Sequence, residues 1–313
     1  MSRNRASLTP PHRDGLSASR VIVGAGPWRT VGEFLNAYFP QVPDWTQRLE
    51  RGAVLAADGA SLHSDSPCQP GSLLWYWRQP PPEQRVPFEI EVLHHDQHLV
   101  AVDKPHFLPV TPAGRYLEET VLVRLQRLLG IQSLAPMHRL DLETAGVVLF
   151  TVVPATRSAY QSLLRDRRVQ RVYEAIAPYR ERLTFPRWEQ CRIQERPGAE
   201  FMQMQVVEGE PNAHTWIEIL RYQSGSIAHY RLIPRTGRKH QLRVQLAALG
   251  IPILGDRIYP ELKPAFAVGD EPDYSQPLQL LAREVSFIDP ITGESRRFTS
   301  RRQLQALPGP ESQ

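Results

Sequence analysis

Sulfur is scarce in this chain: 313 residues hold two cysteines, Cys68 and Cys191, far apart and without a CxxC pair. That excludes a disulfide framework and a cysteine-built zinc site, and makes a reducing cytoplasm the expected location. Long apolar runs are missing too. A membrane span needs about 20 apolar residues, and the longest stretch here, GVVLFTVV at 146–153, is strand-sized. The first twenty residues, MSRNRASLTPPHRDGLSASR, carry basic groups but no apolar core, so they do not read as a secretory signal. A phosphate-binding P-loop, a GxGxxG strand-to-helix turn and a His/Cys metal spacing are all absent. No cofactor and no metal are expected.

What is present is a chain with enough apolar residues, 41%, to bury a sizeable core. Its net charge of +4 is a mild basic excess, which points to a polyanionic partner only where the charge clusters. Residues 1–28 read as a basic, disordered tail. Residues 29–79 read as a small module. RTVGEFLNAYF has helical spacing with Thr30 as N-cap, PDWTQRLERG is a second short helix stopped by Gly52, and VLAADG and GSLLWYWRQ are strands. Residues 80–87 lie in the Pro-rich stretch WRQPPPEQRV and are assigned as a linker. From 88 to 313 strands and helices follow without strict alternation. EETVLVRLQRLLG is a helix with Val121, Leu122, Leu125, Leu128 and Leu129 on its apolar side, and RKHQLRVQLAALG is another, with Thr236 as its expected N-cap. This pattern predicts an α+β fold with a mainly antiparallel sheet.

Three segments concentrate chemistry. In HRLDLETAG, Asp141 sits between Leu140 and Leu142 and runs into an apolar strand. An aspartate so placed must stay in water or meet a cation. In PRTGRKHQLRVQLAALG, Leu242, Leu246 and Leu249 form a buried stripe. Arg243 lies beside that stripe, and Arg238, Lys239 and His240 crowd the helix start, where the dipole favours anions. In RDRRVQRVYEAIA, Arg165, Arg167, Arg168 and Arg171 precede Tyr173, which shares a strand face with Arg171. Each segment alone also has a structural reading: a turn aspartate, a solvated basic helix end, a core tyrosine.

Together the segments resemble the RluA-type RNA pseudouridine synthases. HRLDLETAG is similar to that family's HRLDxxTSG, TGRKHQLRVQLAALGIPILGDRIY to GRTHQIRVHLxxxGxPIxGDxxY, RVYEAIA to KxYxAxV, VAVDKPHFLPVTP to VVxKPxGxxVHP, and LQLLAREVSFIDPITGE to LHAxxLxFxHPxTGE. The likeness covers roughly residues 90–305. Residues 29–79 resemble, more loosely, the S4 RNA-binding module that often precedes this domain. The chain departs from the pattern at Ala145, Lys239, Gln245, Arg171, His106 and Phe107, none of which is the carboxylate, the tyrosine or the helix arginine.

The resemblance implies a bent, mixed, mainly antiparallel sheet with a central cleft. It implies Asp141 as the catalytic carboxylate, Arg243 as its paired cation and Tyr173 as the tyrosine near the target base. Arg139 is expected to fill the gap left by a flipped uridine. Arg165, Arg168, Arg171, Arg238, Lys239 and His240 are expected to contact RNA. The expected partner is ribosomal or transfer RNA, with no membrane, and the expected state is a monomer. A kinase reading of HRLD fails on spacing, since no Asn, Gly-rich loop or DFG accompanies it. A non-catalytic RNA-binding protein remains the alternative, separable by release of the uridine C5 hydrogen, which binding alone does not cause.

Overall fold

Thr30 and Glu33 open the first helix reciprocally. The Thr30 hydroxyl accepts from Glu33 N at 3.2 Å, and the Glu33 carboxylate accepts from Thr30 N at 3.4 Å, a capping box that satisfies two orphan donors. The computed structural model describes residues 11–13, 16–42, 44–78, 83–114, 116–198, 203–223, 227–263 and 273–304. The described residues form two compact units, the first ending at Glu83 and also taking in Gly114–Glu118.

The first unit holds β1 (Ser19–Ile22), α1 (Val31–Tyr38), α2 (Trp45–Glu50), β2 (Val54–Ala56) and β3 (Leu73–Tyr76). The strands form a sheet in the order β1-β3-β2. Val31, Phe34, Leu35, Trp45, Leu49 and Val54 are its buried core. The expected 28-residue tail is therefore too long. Ser19–Ile22 pairs antiparallel with β3, and Ala18, Val21 and Val23 are buried. Small and β-branched residues within a basic stretch suffice for an edge strand. Residues 1–10, and 79–82 of the proline-rich stretch, lie outside the described residues.

The second unit holds β4 (Glu91–His95), β5 (Leu99–Lys104), α3 (Val121–Leu129), β6 (Ala145–Thr151), α4 (Arg157–Arg165), β7 (Gln170–Pro178), β8 (Arg187–Glu195), β9 (Met204–Val207), β10 (Ala213–Gln223), β11 (Ile227–Pro234), α5 (Gln241–Ala248), β12 (Leu280–Ile288) and β13 (Ser295–Thr299). Its eleven-stranded sheet runs β9-β8-β10-β11-β7-β12-β6-β5-β4. Off this path, β13 joins β12 and the short Ala135–Pro136 joins β6. Every pairing is antiparallel except β6 with β12. The fold is the expected α+β, mainly antiparallel class. β5 and β6 are buried at every position, as strands covered on both faces are. Among the described residues no helix is long and apolar enough to cross a membrane.

Two helices differ from expectation. In α3 the buried residues are Val121, Val123, Leu125 and Gln126, while Leu128 is 62% exposed. The chain turns back after Gly130 so that the Gln126 amide donates to Gln132 O, which draws that side of the helix inward. α5 begins at Gln241 with His240, at φ 54°, as N-cap. Thr236 does not cap it, because its hydroxyl accepts from His214 N at 2.9 Å and donates to Gln241 Oε1 at 2.8 Å. Leu242 and Leu246 pack with Ala175, Tyr230 and Leu232, which seats α5 on the sheet.

One row crosses five strands: Lys104 opposite Gly146, Gly146 opposite Ala282, Ala282 opposite Tyr173, and Tyr173 opposite Leu232. The second and third residues, Gly146 and Ala282, are the smallest available. Gly146 has φ +114°, and a Cβ there would stand 2.2 Å from Ala282 O. Gly146→Ala is therefore expected to destabilise the second unit by more than the ~1–3 kcal/mol of backbone strain alone. The check is the urea midpoint, which an unstrained glycine site would leave nearly unmoved.

Candidate active site

Asp141 occupies the turn that leads into β6, closed by Thr144 N donating to Asp141 O at 3.2 Å. The turn is held from the β5 side by Lys104, whose side chain is fully buried. Its ammonium donates to Pro105 O (2.9 Å), Leu108 O (2.7 Å) and Leu142 O (3.0 Å), one acceptor for each of its three donors. Burial pushes the Lys104 amine down to about 7, with Asp141 and Glu143 pulling upward and Arg302 adding to the fall. Leu142 follows Asp141 directly, so this lysine fixes the backbone that carries the carboxylate. The Asp141 side chain itself stays 31% exposed.

From the other side comes Arg243 on α5, 2% exposed in its side chain. Its Nε and Nη2 donate to the two carboxylate oxygens of Asp256 at 2.8 and 2.6 Å. Nη2 also donates to Glu143 Oε2 at 2.8 Å, while Nη1 lies 3.5 Å from Asp141 Oδ2. Arg243 thus meets Asp141, but as its third and longest partner. The physical reason is desolvation. A guanidinium removed from water needs short, well-directed acceptors, and buried Asp256 supplies a bidentate pair. Asp256 Oδ1 is itself fixed by Ile258 N and Tyr259 N at 2.8 and 3.0 Å. Burial opposes the Arg243 charge. The hydrogen bonds and charge of Asp256, then the charges of Glu143 and Asp141, more than restore it, so its pKa lies above the ordinary arginine value.

His240 is 8% exposed, and its Nε2 stands 3.9 Å from Asp141 Oδ2. Its Nδ1 lies 2.9 Å from the Tyr259 hydroxyl, which accepts from Met204 N. If that hydroxyl donates to Nδ1, the ring proton sits on Nε2, facing Asp141. Burial first, then Arg243 and Lys239, depress this imidazole to about 4 against the pull of Asp141. At neutral pH His240 is an uncharged imidazole beside the carboxylate.

Tyr173 is partly buried and packs against the cluster under α5. Its hydroxyl makes no hydrogen bond among the described residues. Burial raises the phenol pKa, with Arg171 lowering it and Asp141 raising it further, so the group is a protonated phenol at neutral pH.

The basic residues divide. Arg139, Arg168, Arg238 and Lys239 are exposed, and so is Arg165, with its Nε 3.1 Å from Asp166. Arg238 Nε donates to Asn212 O at 3.3 Å. Arg171 and His240 are not on this surface. Arg171 is partly buried and donates to Thr236 O at 3.1 Å, tying β7 to the loop before α5. His240 is drawn inward by Tyr259. Gln245, where the family pattern has histidine, is buried and accepts from the Thr215 hydroxyl at 2.6 Å. Sequence reasoning missed Lys104, Glu143, Asp256 and Tyr259. Lys104, Asp256 and Tyr259 stand inside the quoted VDKP and GDRIY stretches, at the K, D and Y of the family pattern, which was the signal available. Glu143 had none.

A family model described as RNA pseudouridylate synthase matches residues 98–248, a span that includes Asp141, Tyr173 and Arg243. An uncharacterized RNA pseudouridine synthase of Synechocystis is 34% identical over 69% of this chain and 73% of its own length. The dual-specificity RNA pseudouridine synthase RluA of Haemophilus influenzae is 30% identical, covering 70% of this chain and 97% of its own. Among solved structures, human RNA pseudouridylate synthase domain containing 1 shares the fold. Its TM-score is 0.55 at 19% identity, covering 71% of this chain and 86% of that one. With relatives matched at this level over more than two thirds of the chain, the chain belongs to the RluA-type family of RNA pseudouridine synthases, which are isomerases.

Proposed function

We propose that this synthase converts specific uridines of structured ribosomal or transfer RNA to pseudouridine, with Asp141 as the essential carboxylate. One observation carries the assignment: of the three carboxylates that face Arg243, only Asp141 is substantially open, at 31% against 12% for Glu143 and 1% for Asp256. The C1′–N1 bond of uridine breaks, the uracil turns, C5 bonds to C1′, and the C5 hydrogen leaves as a proton while N1 gains one. A carboxylate beside the sugar can attack or stabilise C1′, or act as a base there. The reaction is redox-neutral and consumes no energy source, so it needs no redox cofactor and no nucleotide.

Tyr173 faces the same region with a phenol that can pass a proton or pack against the loose base. Arg139, exposed two residues before Asp141, fills the gap left by a flipped uridine, whose unstacking costs a few kcal/mol. Arg165, Arg168, Arg238 and Lys239 can offset that cost through phosphate contacts. The first unit serves as an S4-like grip on RNA, and the enzyme works as a cytoplasmic monomer. The rival reading, an RNA-binding protein without catalysis, has no use for an open carboxylate beside a buried arginine on a turn held by a buried lysine.

Asp141→Asn is expected to bind RNA as well as the parent and to form no pseudouridine, read as C5-tritium release in single turnover. Release above a few per cent of the parent rate would remove Asp141 from the mechanism. Arg243→Met should also be inactive and less stable by ~3–5 kcal/mol, because buried carboxylates lose their cation. The two losses should be far from additive. Tyr173→Phe should lose most turnover with little change in melting temperature, whereas near-parent turnover would make the ring a packing element only. A chain beginning at Gln84 should retain the second unit's fold and bind long RNA more weakly. Its salt dependence should flatten by about 0.7 per lost single-strand phosphate contact, and an unchanged slope would deny the first unit an RNA role.

A further inference from the structure

Glu143 stands where the HRLDxxTSG pattern leaves the residue open, two positions after Asp141. Its side chain is nonetheless only 12% exposed. The His106 Nδ1 lies 2.6 Å from its carbonyl oxygen and holds its backbone. Arg243 offers five N–H donors in a fixed plane. Asp256 takes Nε and one Nη2 hydrogen, Glu143 takes Nη2 at 2.8 Å, and Nη1 is left facing Asp141 at 3.5 Å. At that distance the last contact is a Coulomb interaction more than a hydrogen bond.

The charges around Glu143 come from several elements. Arg243 faces it from α5, Asp256 and Arg257 from the turn beyond α5, Lys104 from β5, and Asp141 from its own turn. Burial pushes its carboxyl up, and Asp256 adds to the rise, against Arg243 and Arg257. An extra buried carboxylate on an already paired arginine is thus costly for the site, and its geometric effect is specific: beside Asp256 it takes Nη2 and pulls that end of the guanidinium away from the Nη1 end, which faces Asp141.

We propose that Glu143 is a positioning residue that holds Nη2 of Arg243 and thereby keeps the guanidinium from closing on Asp141. The reacting carboxylate is steadied by a nearby cation without being tied up by short hydrogen bonds. This rests on the reading of Asp141 as the catalyst. In Glu143→Gln the amide oxygen still accepts from Nη2, but the charge that pulls the guanidinium toward residue 143 is gone, and Nη1 is expected to shorten its 3.5 Å approach to Asp141.

The test is the pH dependence of single-turnover C5-tritium release between pH 5 and 9, with RNA affinity measured in parallel. Glu143→Gln is expected to lose about tenfold in rate at pH 7 while its RNA Kd stays within about twofold. The acid side of its profile should move to lower pH, because a closer cation disfavours the protonation that switches the site off. Glu143→Asp keeps the charge on a shorter stem and is expected between parent and Gln in both readouts. Superimposable pH profiles would overturn the proposal. So would a rate loss in both variants that follows lost affinity or lost melting temperature with no pH shift. Asp141→Asn in the same assay separates the two readings: its release of tritium would sink Asp141 as catalyst, while a silent Glu143→Gln sinks only the role of Glu143.

Discussion

The burial of one guanidinium organises the site. Arg243 is held almost wholly out of water, and a charge so placed is tolerated only if short, directed acceptors surround it. Asp256 supplies them bidentately, and Glu143 supplies a third. These bonds join α5, the turn beyond it, and the turn that carries Asp141. The position of the open carboxylate is therefore a consequence of where the buried carboxylates must be.

A second buried cation works on the same turn through the backbone. Lys104 spends its three donors on carbonyls, one of them Leu142 O. Asp141 is thus fixed from β5 by a lysine that touches its neighbour's carbonyl and from α5 by an arginine that touches its neighbour's carboxylate. The parallel junction of β6 with β12, passable only because Gly146 and Ala282 are small, sets the strand that the turn feeds. Rigid support on both sides is what a carboxylate needs if its reactivity depends on geometry held within fractions of an ångström.

Much was legible along the chain because it depends on near neighbours. Thr30 before its helix and Gly130 and Gly250 after theirs are local signals, and the structure uses them. The strands expected in FEIEVLHH, HLVAVDKP, GVVLFTVV and RVYEAIAP followed from apolar, β-branched composition, and each overlaps an observed strand. The errors arose where a distant group outbid a local one. Thr236 would cap a helix, but His214 and Gln241 claim its hydroxyl. His240 would be a surface cation among Arg238 and Lys239, but Tyr259 draws it inside and burial removes its charge.

The sequence by itself determined the α+β class, most element boundaries within a few residues, and the three segments in which Asp141, Tyr173 and Arg243 stand, because pattern, caps and motif are properties of short stretches. Only the tertiary structure decided who pairs with whom. Asp141 and Arg243 are 102 positions apart, and no local rule reveals that Asp256 and Glu143 hold the arginine more tightly than Asp141 does. Desolvation is the reason: the ranking of partners depends on how completely each is buried, and burial is decided by the packing of α5 against the sheet.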